Sequence, residues 1–472
     1  MSKQISRRQF LLGTGSLMAL GYLSWLGLIP GAMPATGNKP QPAEPAPTGQ
    51  APPLPEPVVC DYVFRHGLII DGSGDKAYPG DLGIKGKQIA AVGDFQAAPG
   101  AVEIDARGLV LSPGFIDLHT HTEAYLGSGG RGEMFLLQGV TTHLGGNCGT
   151  SVARVGDFLA GINKLALNLG ILAGYKNLSQ ATVAREGRPA RAREVAAMQQ
   201  KLATALQEGA FGLSVGLEYW PQSLATTQEL IDLCQVLKEY GGFYATHIRS
   251  EGDQVFKAVE EAIEIGQQAG IPVQYSHIKT AGRRNWGKMK QVLSLLDGAR
   301  QGGLDITADV YGYTFSSWDV GSSRNSIHEE DLLLALQHPS VMIGSDSGLD
   351  PRGRAIHPRA YGNYSHILRH YCLEKGVITL EEAIHKMTLM PARRMGLKDR
   401  GLLAPGYKAD VVAFDAGTIA SRATRANPNQ LATGVRWVLV NGQVAVKDGQ
   451  ATGCLAGEVL RRQVRNQALG VA

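Results

Sequence analysis

The sequence predicts an α/β protein: a (β/α)8 barrel carrying a small β-sandwich built from both ends of the folded body. Three observations predict it. Apolar strand-like runs alternate with amphipathic stretches roughly every 30 to 40 residues through the middle of the chain. Eight such runs end near His121, Gly149, Gly174, Glu218, His247, His277, Tyr311 and Asp346. Both flanks of that region instead read as short strands broken by glycine. Eight units over about 230 residues match the usual length of a TIM-type barrel.

Taken from the N-terminus, the first element is an export segment over residues 1–29. Ser6-Arg7-Arg8-Gln9 precedes an uncharged apolar run from Phe10 to Ile29, the twin-arginine pattern. That run is long enough to span a bilayer, and no A-x-A site follows it, so cleavage and retention as an inner-membrane anchor both stay open. The destination implied is the periplasm. Residues 30–57 hold ten of the 22 prolines. Such a stretch cannot bury a core and reads as a semi-rigid tether.

The folded body begins at residue 58. Tyr62-Val-Phe, Gly67-Leu-Ile-Ile and Asp81-Leu-Gly-Ile share their texture with Arg436-Trp-Val-Leu-Val, which precedes the hairpin dipeptide Asn441-Gly442. Residues 58–108 and 397–460 are therefore assigned to the small β-sandwich and 109–396 to the barrel. Within the barrel, Val255, Val259, Ala262 and Ile263 give Asp253–Ala269 one apolar face, marking a helix between the strands ending at His247 and His277. Charged residues make up 19% of the 472 and the net charge is +4. No basic run or arginine-rich face is present, which argues against a nucleic-acid partner. Five cysteines without C-x-x-C spacing argue against a disulfide framework.

Phe115-Ile-Asp-Leu-His119-Thr-His121 is the sharpest local signal. Side chains alternate along a strand, so His119 and His121 face one side, and at the C-terminal end of a barrel strand that side is the mouth. Two imidazoles there can grip one metal. His247 and His277 each end a strand one βα repeat apart, and Asp346 ends the last strand, which closes the barrel beside the first. Cys148 lies in Gly-Gly-Asn-Cys-Gly just past the second strand, where a thiolate can ligate or bridge zinc. His143 is read as packing. No Ser nucleophile elbow competes, because Gly212-Leu-Ser-Val-Gly lacks its spacing.

FIDLHTH, GNCG, GLSVGLEY, YATHIRSEGD, IPVQYSHIK, DVYGYT, GSDSG and HPRAYGNY resemble the amidohydrolase superfamily, and within it the D-aminoacylase (N-acyl-D-amino-acid deacylase) family. The likeness runs from about Tyr62 to Arg461. It implies zinc-dependent hydrolysis of a linear amide, with an N-acylated amino acid as the small-molecule substrate. It implies a tight metal site from Cys148, His247 and His277 and a weaker second one from His119, His121, Cys148 and Asp346. Asp346 would carry the proton from water to the departing amine. Lys279, Tyr311 and Arg359 would bind the substrate carboxylate, Arg359 bidentately.

The chain also departs from the family. Only about 35 residues separate Tyr311 from Asp346, where relatives carry a long insertion, so the mouth should be open. Tyr175 stands where a histidine is usual, and Glu123 replaces an aspartate. Two rival readings are a cyclic-amide hydrolase of dihydroorotase or hydantoinase type and an inactive, tethered binding protein. The first generally uses a carboxylated lysine, and no lysine here convincingly ends a strand. The second conflicts with a complete set of six ligands.

Overall fold

The computed structural model describes residues 56–180, 187–322 and 324–463. The expected export segment, and the tether as far as Pro55, lie outside the described residues. Among the described residues no helix is long and apolar enough to cross a membrane.

Eight parallel strands form the central barrel. We label them β1 (Phe115–Asp117, continued by Thr120–His121), β2 (Val140–Gly145), β3 (Asn168–Ile171, continued by Ala173–Gly174), β4 (Gly212–Gly216), β5 (Phe243–His247), β6 (Val273–Tyr275), β7 (Ile306–Val310) and β8 (Val341–Ile343, continued by Ser347–Gly348). Pairing runs in chain order from β1 to β8. The ring closes where Ser347 and Gly348 pair in parallel with Thr120 and His121. Helices connect the strands, and the one between β5 and β6 spans Val255–Ala269, two residues shorter at its start than the sequence suggests. Its apolar face, with Val255, Val259, Ala262 and Ile265, is buried, and Gly270 ends it at a φ of 65°, which a Cβ would oppose.

Strand residues are buried on both faces, so even the polar Thr141, Thr142, Ser214, Thr246 and Thr307 of β2, β4, β5 and β7 lie inside. Ile116, Leu144, Phe211, Phe243 and Met342 meet Met395 and Leu460 in a cluster of their own. These positions precede the histidines and Asp346 in parallel strands. The cluster therefore fills the end of the barrel away from them.

The strands from the two flanks join in one hydrogen-bonded nine-stranded sheet. The joint is Val110–Pro113 pairing antiparallel with Val411–Phe414. Phe64, Ile69, Leu82, Ile84, Val411 and Leu439 lie in its own core. Asn441 and Gly442 both have positive φ, 47° and 78°, as a two-residue hairpin turn requires.

Candidate metal centre

The six expected donors converge at the C-terminal ends of β1, β5, β6 and β8 and the loop after β2. The Cys148 Sγ lies 3.4 Å from His119 Nε2 and 3.4 Å from His277 Nε2. His247 Nδ1 is 3.0 Å from His277 Nε2. Asp346 Oδ1 is 3.2 Å from His121 Nε2 and 3.5 Å from His119 Nε2. All six are buried except His121, which is partly so. Zinc bonds of about 2.0–2.3 Å in a tetrahedron set neighbouring donors roughly 3.3–3.7 Å apart. The donors here fit such an ion.

Strand alternation aims His119, His121 and His247. The other three need more. Cys148, His277 and Asp346 lie just past strand ends with φ of 50°, 38° and 51°, a conformation that costs a non-glycine residue roughly 1–3 kcal/mol. Six non-glycine residues with positive φ occur among those described, and these are half of them. Strain gathered on three donors fits a site whose geometry is imposed by the surrounding fold.

Each of three imidazoles has its other nitrogen on a carboxylate. His119 Nδ1 is 2.9 Å from Asp309, His247 Nε2 is 3.1 Å from Glu218, and His277 Nδ1 is 2.8 Å from Glu251. Such partners fix which nitrogen is free to bind a metal and orient the ring. Sequence reasoning missed all three carboxylates. The available signal was an acid within four residues of each relevant strand end: Asp309 in DVYGY, Glu218 in GLEY and Glu251 in IRSEG.

The donors group differently from the sets implied by resemblance. The compact triads are His119–Cys148–His277, His119–His121–Asp346 and His247–Glu251–His277. Cys148 thus stands between His119 and His277, and a carboxylate, Glu251, joins the His247 side. His143 sits away from this cluster, hydrogen-bonded to Thr122 Oγ1 at 2.8 Å and edge-on to Phe135.

A family model described as the amidohydrolase family matches residues 110–445. The chain belongs to the amidohydrolase family. It is 34% identical to a D-aminoacylase of Alcaligenes xylosoxydans xylosoxydans, over 85% of this chain and 98% of that one. It is 35% identical to an N-acyl-D-aspartate deacylase of the same organism, over 86% and 95%. A solved N-acyl-D-glutamate deacylase from Bordetella bronchiseptica, complexed with zinc and a phosphonate mimic of the tetrahedral intermediate, superposes with a TM-score of 0.78. That chain is 31% identical, and the match covers 86% of this chain and all of that one.

The electrostatics of this amidohydrolase's site favour a cation. Burial opposes the thiolate of Cys148, yet the His119 and His277 imidazoles hold its thiol well below the ordinary value. Burial likewise opposes the Asp346 carboxylate, but Arg359, His277 and His121 hold it well below the usual range. The accumulated negative charge pulls protons onto the imidazoles. Against the cost of burial, Asp309 and Cys148 raise His119, and Asp346 and Cys148 raise His121 to about 10. A divalent cation replaces such protons when it binds.

The three residues assigned to the substrate carboxylate line the same cavity of about 840 Å³ as His121, Cys148, His247, His277 and Asp346. Arg359 Nη2 is 2.8 Å from Asp346 Oδ2 and donates to Ser317 Oγ at 2.9 Å, and the guanidinium lies 4.7 Å over the Tyr311 ring. Arg359 Nε and the Tyr311 hydroxyl are both buried without a hydrogen-bond partner. Lys279 differs: its Nζ donates to Glu251 at 2.6 Å and lies 2.8 Å from His277 Nδ1, so its charge is already matched within the chain.

Proposed function

We propose that this amidohydrolase is a zinc-dependent deacylase that hydrolyses N-acyl-D-amino acids to a carboxylate and a free D-amino acid. One observation carries the reading. A thiolate, four imidazoles and a carboxylate from the ends of five strands meet at donor spacings suited to zinc, beside an arginine fork with an unpaired donor. The D configuration and the acylated amino group come from the relatives.

Cys148, His247, His277, His119, His121 and Asp346 would hold one tightly bound ion and a second, weaker one. When bound, the metal supplies Lewis acidity toward the amide carbonyl and a water activated near neutral pH. The protein's own groups do the rest. Asp346, kept ionised by Arg359, accepts a proton from the attacking water and returns it to the departing amine nitrogen. Arg359 Nε and Tyr311 Oη hold the substrate's α-carboxylate, which supplies the partner each lacks. Glu218, Glu251 and Asp309 keep three imidazoles in one tautomer and orientation. A cyclic-amide hydrolase is disfavoured because a cysteine stands among the donors where that class generally carries a carboxylated lysine.

The test is release of free amine by the zinc-loaded full chain from paired N-acetyl-D- and N-acetyl-L-amino acids. Hydrolysis of D members, abolished by chelation and restored by zinc, is expected. Turnover of L members alone would sink the reading. The export route is part of the same proposal and rests on Ser6-Arg7-Arg8 before the apolar run. Replacing Arg7 and Arg8 by lysine should retain the protein in the cytoplasm, and unchanged periplasmic recovery would refute that route.

A further inference from the structure

Two cavities meet at the barrel mouth. The one of about 840 Å³ is lined by five of the six donors and Arg359, and a neighbour of about 630 Å³ opens between the loops after β4 and β7. Both are lined by Trp318, which is 82% exposed. Trp220, 62% exposed, lines the second, and Ile356, 65% exposed, lines the first. Large apolar groups left uncovered beside a site mark where an apolar ligand group is captured. Trp318 directly follows Ser317, which accepts a hydrogen bond from the Arg359 fork. In an N-acyl-amino acid the carboxylate and the side chain leave the same carbon. The substituent beside the fork is therefore the side chain, whereas the acyl group lies across the scissile amide.

Charge points the same way. The lysines and arginines lining the two cavities are Lys279, Arg354 and Arg359. Lys279 is paired with Glu251 at 2.6 Å and Arg354 with Asp350 at 3.0 Å. Arg359 is needed for the α-carboxylate. Arg359 alone among them keeps a buried donor without a partner, so a second substrate carboxylate would have to displace Glu251 from Lys279 or Asp350 from Arg354. Glu218 and Asp319 line the Trp220–Trp318 cavity and would repel one. The charge of a bound divalent cation faces the thiolate and carboxylates that hold it.

Resting on the deacylase reading, we infer that the side-chain subsite is the Trp318 and Trp220 cleft, and that it takes uncharged, apolar D-amino-acid side chains and excludes acidic ones. The relatives alone leave this open, since an N-acyl-D-aspartate deacylase and a D-aminoacylase are almost equally similar to the chain.

The experiment measures kcat/KM of the zinc-loaded full chain on N-acetyl-D-leucine, -phenylalanine, -alanine, -aspartate and -glutamate, with acyl length varied separately on the leucine compound. Leucine and phenylalanine should exceed aspartate and glutamate by about 100-fold or more, because the acidic pair leaves a carboxylate without a partner. Trp318→Ala should shrink the leucine-to-alanine ratio by about tenfold, the scale of losing a hydrophobic contact of a few methylenes. Trp318→Arg should raise the aspartate-to-leucine ratio. Equal or better turnover of the acidic pair by the wild-type chain overturns the inference while leaving the deacylase reading intact. A Trp318→Ala loss that follows acyl length and not side-chain size reassigns the cleft to the acyl group and also overturns it. No hydrolysis of any member overturns the deacylase reading and this one with it.

Discussion

Arg400 and Asp346 are both buried charged groups, and their surroundings differ in kind. Around Arg400 each charge and amide finds a partner in the chain. Arg400 pairs with Asp410, donates to Asn441 Oδ1 at 2.9 Å and lies 3.2 Å from Glu458. Asp410 also accepts from Asn168 Nδ2 at 3.0 Å and from the Asn441 backbone at 2.7 Å. Asn168 on β3, Asn441 in the flanking sheet and Glu458 are tied together, and no ligand is required. Around Asp346, by contrast, four imidazole rings crowd a thiol, three donors sit in left-handed backbone, and Arg359 Nε and Tyr311 Oη lack partners. A finished network stabilises the fold. An unfinished one, kept strained by the fold, is where a ligand belongs.

The comparison can be broken by separating activity from stability. Asp346→Asn should lower kcat by roughly 10²–10⁴-fold, since it removes the proton carrier. The tightly bound zinc should remain while the weaker ion that Asp346 would help hold is lost, and an activity loss no larger than the loss of folded protein would make Asp346 a structural residue. At the other network, Arg400→Ala leaves Asp410 buried without its charge and should cost about 3–5 kcal/mol in urea unfolding. Its kcat per folded molecule should stay near wild type.

Two smaller effects sharpen the contrast. Glu251→Gln keeps the volume but loses the charge behind His277, so zinc affinity in chelator competition should fall about 10–100-fold. Unchanged affinity would mean that the charge of Glu251 is not what orients the His277 ring. His143 supplies a pH marker away from the metal centre. Burial lowers its folded pKa to about 3, below the unfolded value of 6.5. The folded state therefore binds fewer protons, and stability present above pH 6.5 is lost as pH falls toward 3. Between pH 6.5 and 5 the loss should be about 2 kcal/mol. His143→Phe should flatten that part of the stability profile, and an unaltered slope would assign it to other groups.

Much of the site could be read from sequence because strands that end in histidine announce themselves. Phe115-Ile-Asp-Leu-His119-Thr-His121 and Tyr244-Ala-Thr-His247 carry their own geometry through alternation. Cys148, His277 and Asp346 were legible as residue types near strand ends, although Cys148 and His277 lie in turns beyond their strands and Asp346 in the break between the two segments of β8. The small β layer was legible as two flanks with one texture. Its continuity as one sheet depends on Val110–Pro113 meeting Val411–Phe414, a pairing that local pattern cannot specify. Lys279 illustrates the same limit, because its charge looks free in SHIK and is matched by Glu251 only across the β5–β6 loops.

Local chemistry, read along the chain, determined which atoms could bind a metal, at which end of the strands they lie, and that eight βα units recur. These follow from periodicity and short-range stereochemistry, which each segment carries within itself. Tertiary structure alone decided that Cys148 stands between His119 and His277, that Glu218, Glu251 and Asp309 back three of the imidazoles, and that the ring closes at Thr120 and Ser347. Those outcomes join residues that are distant in sequence, and their positions follow from strand register and barrel closure rather than from any residue's own preferences.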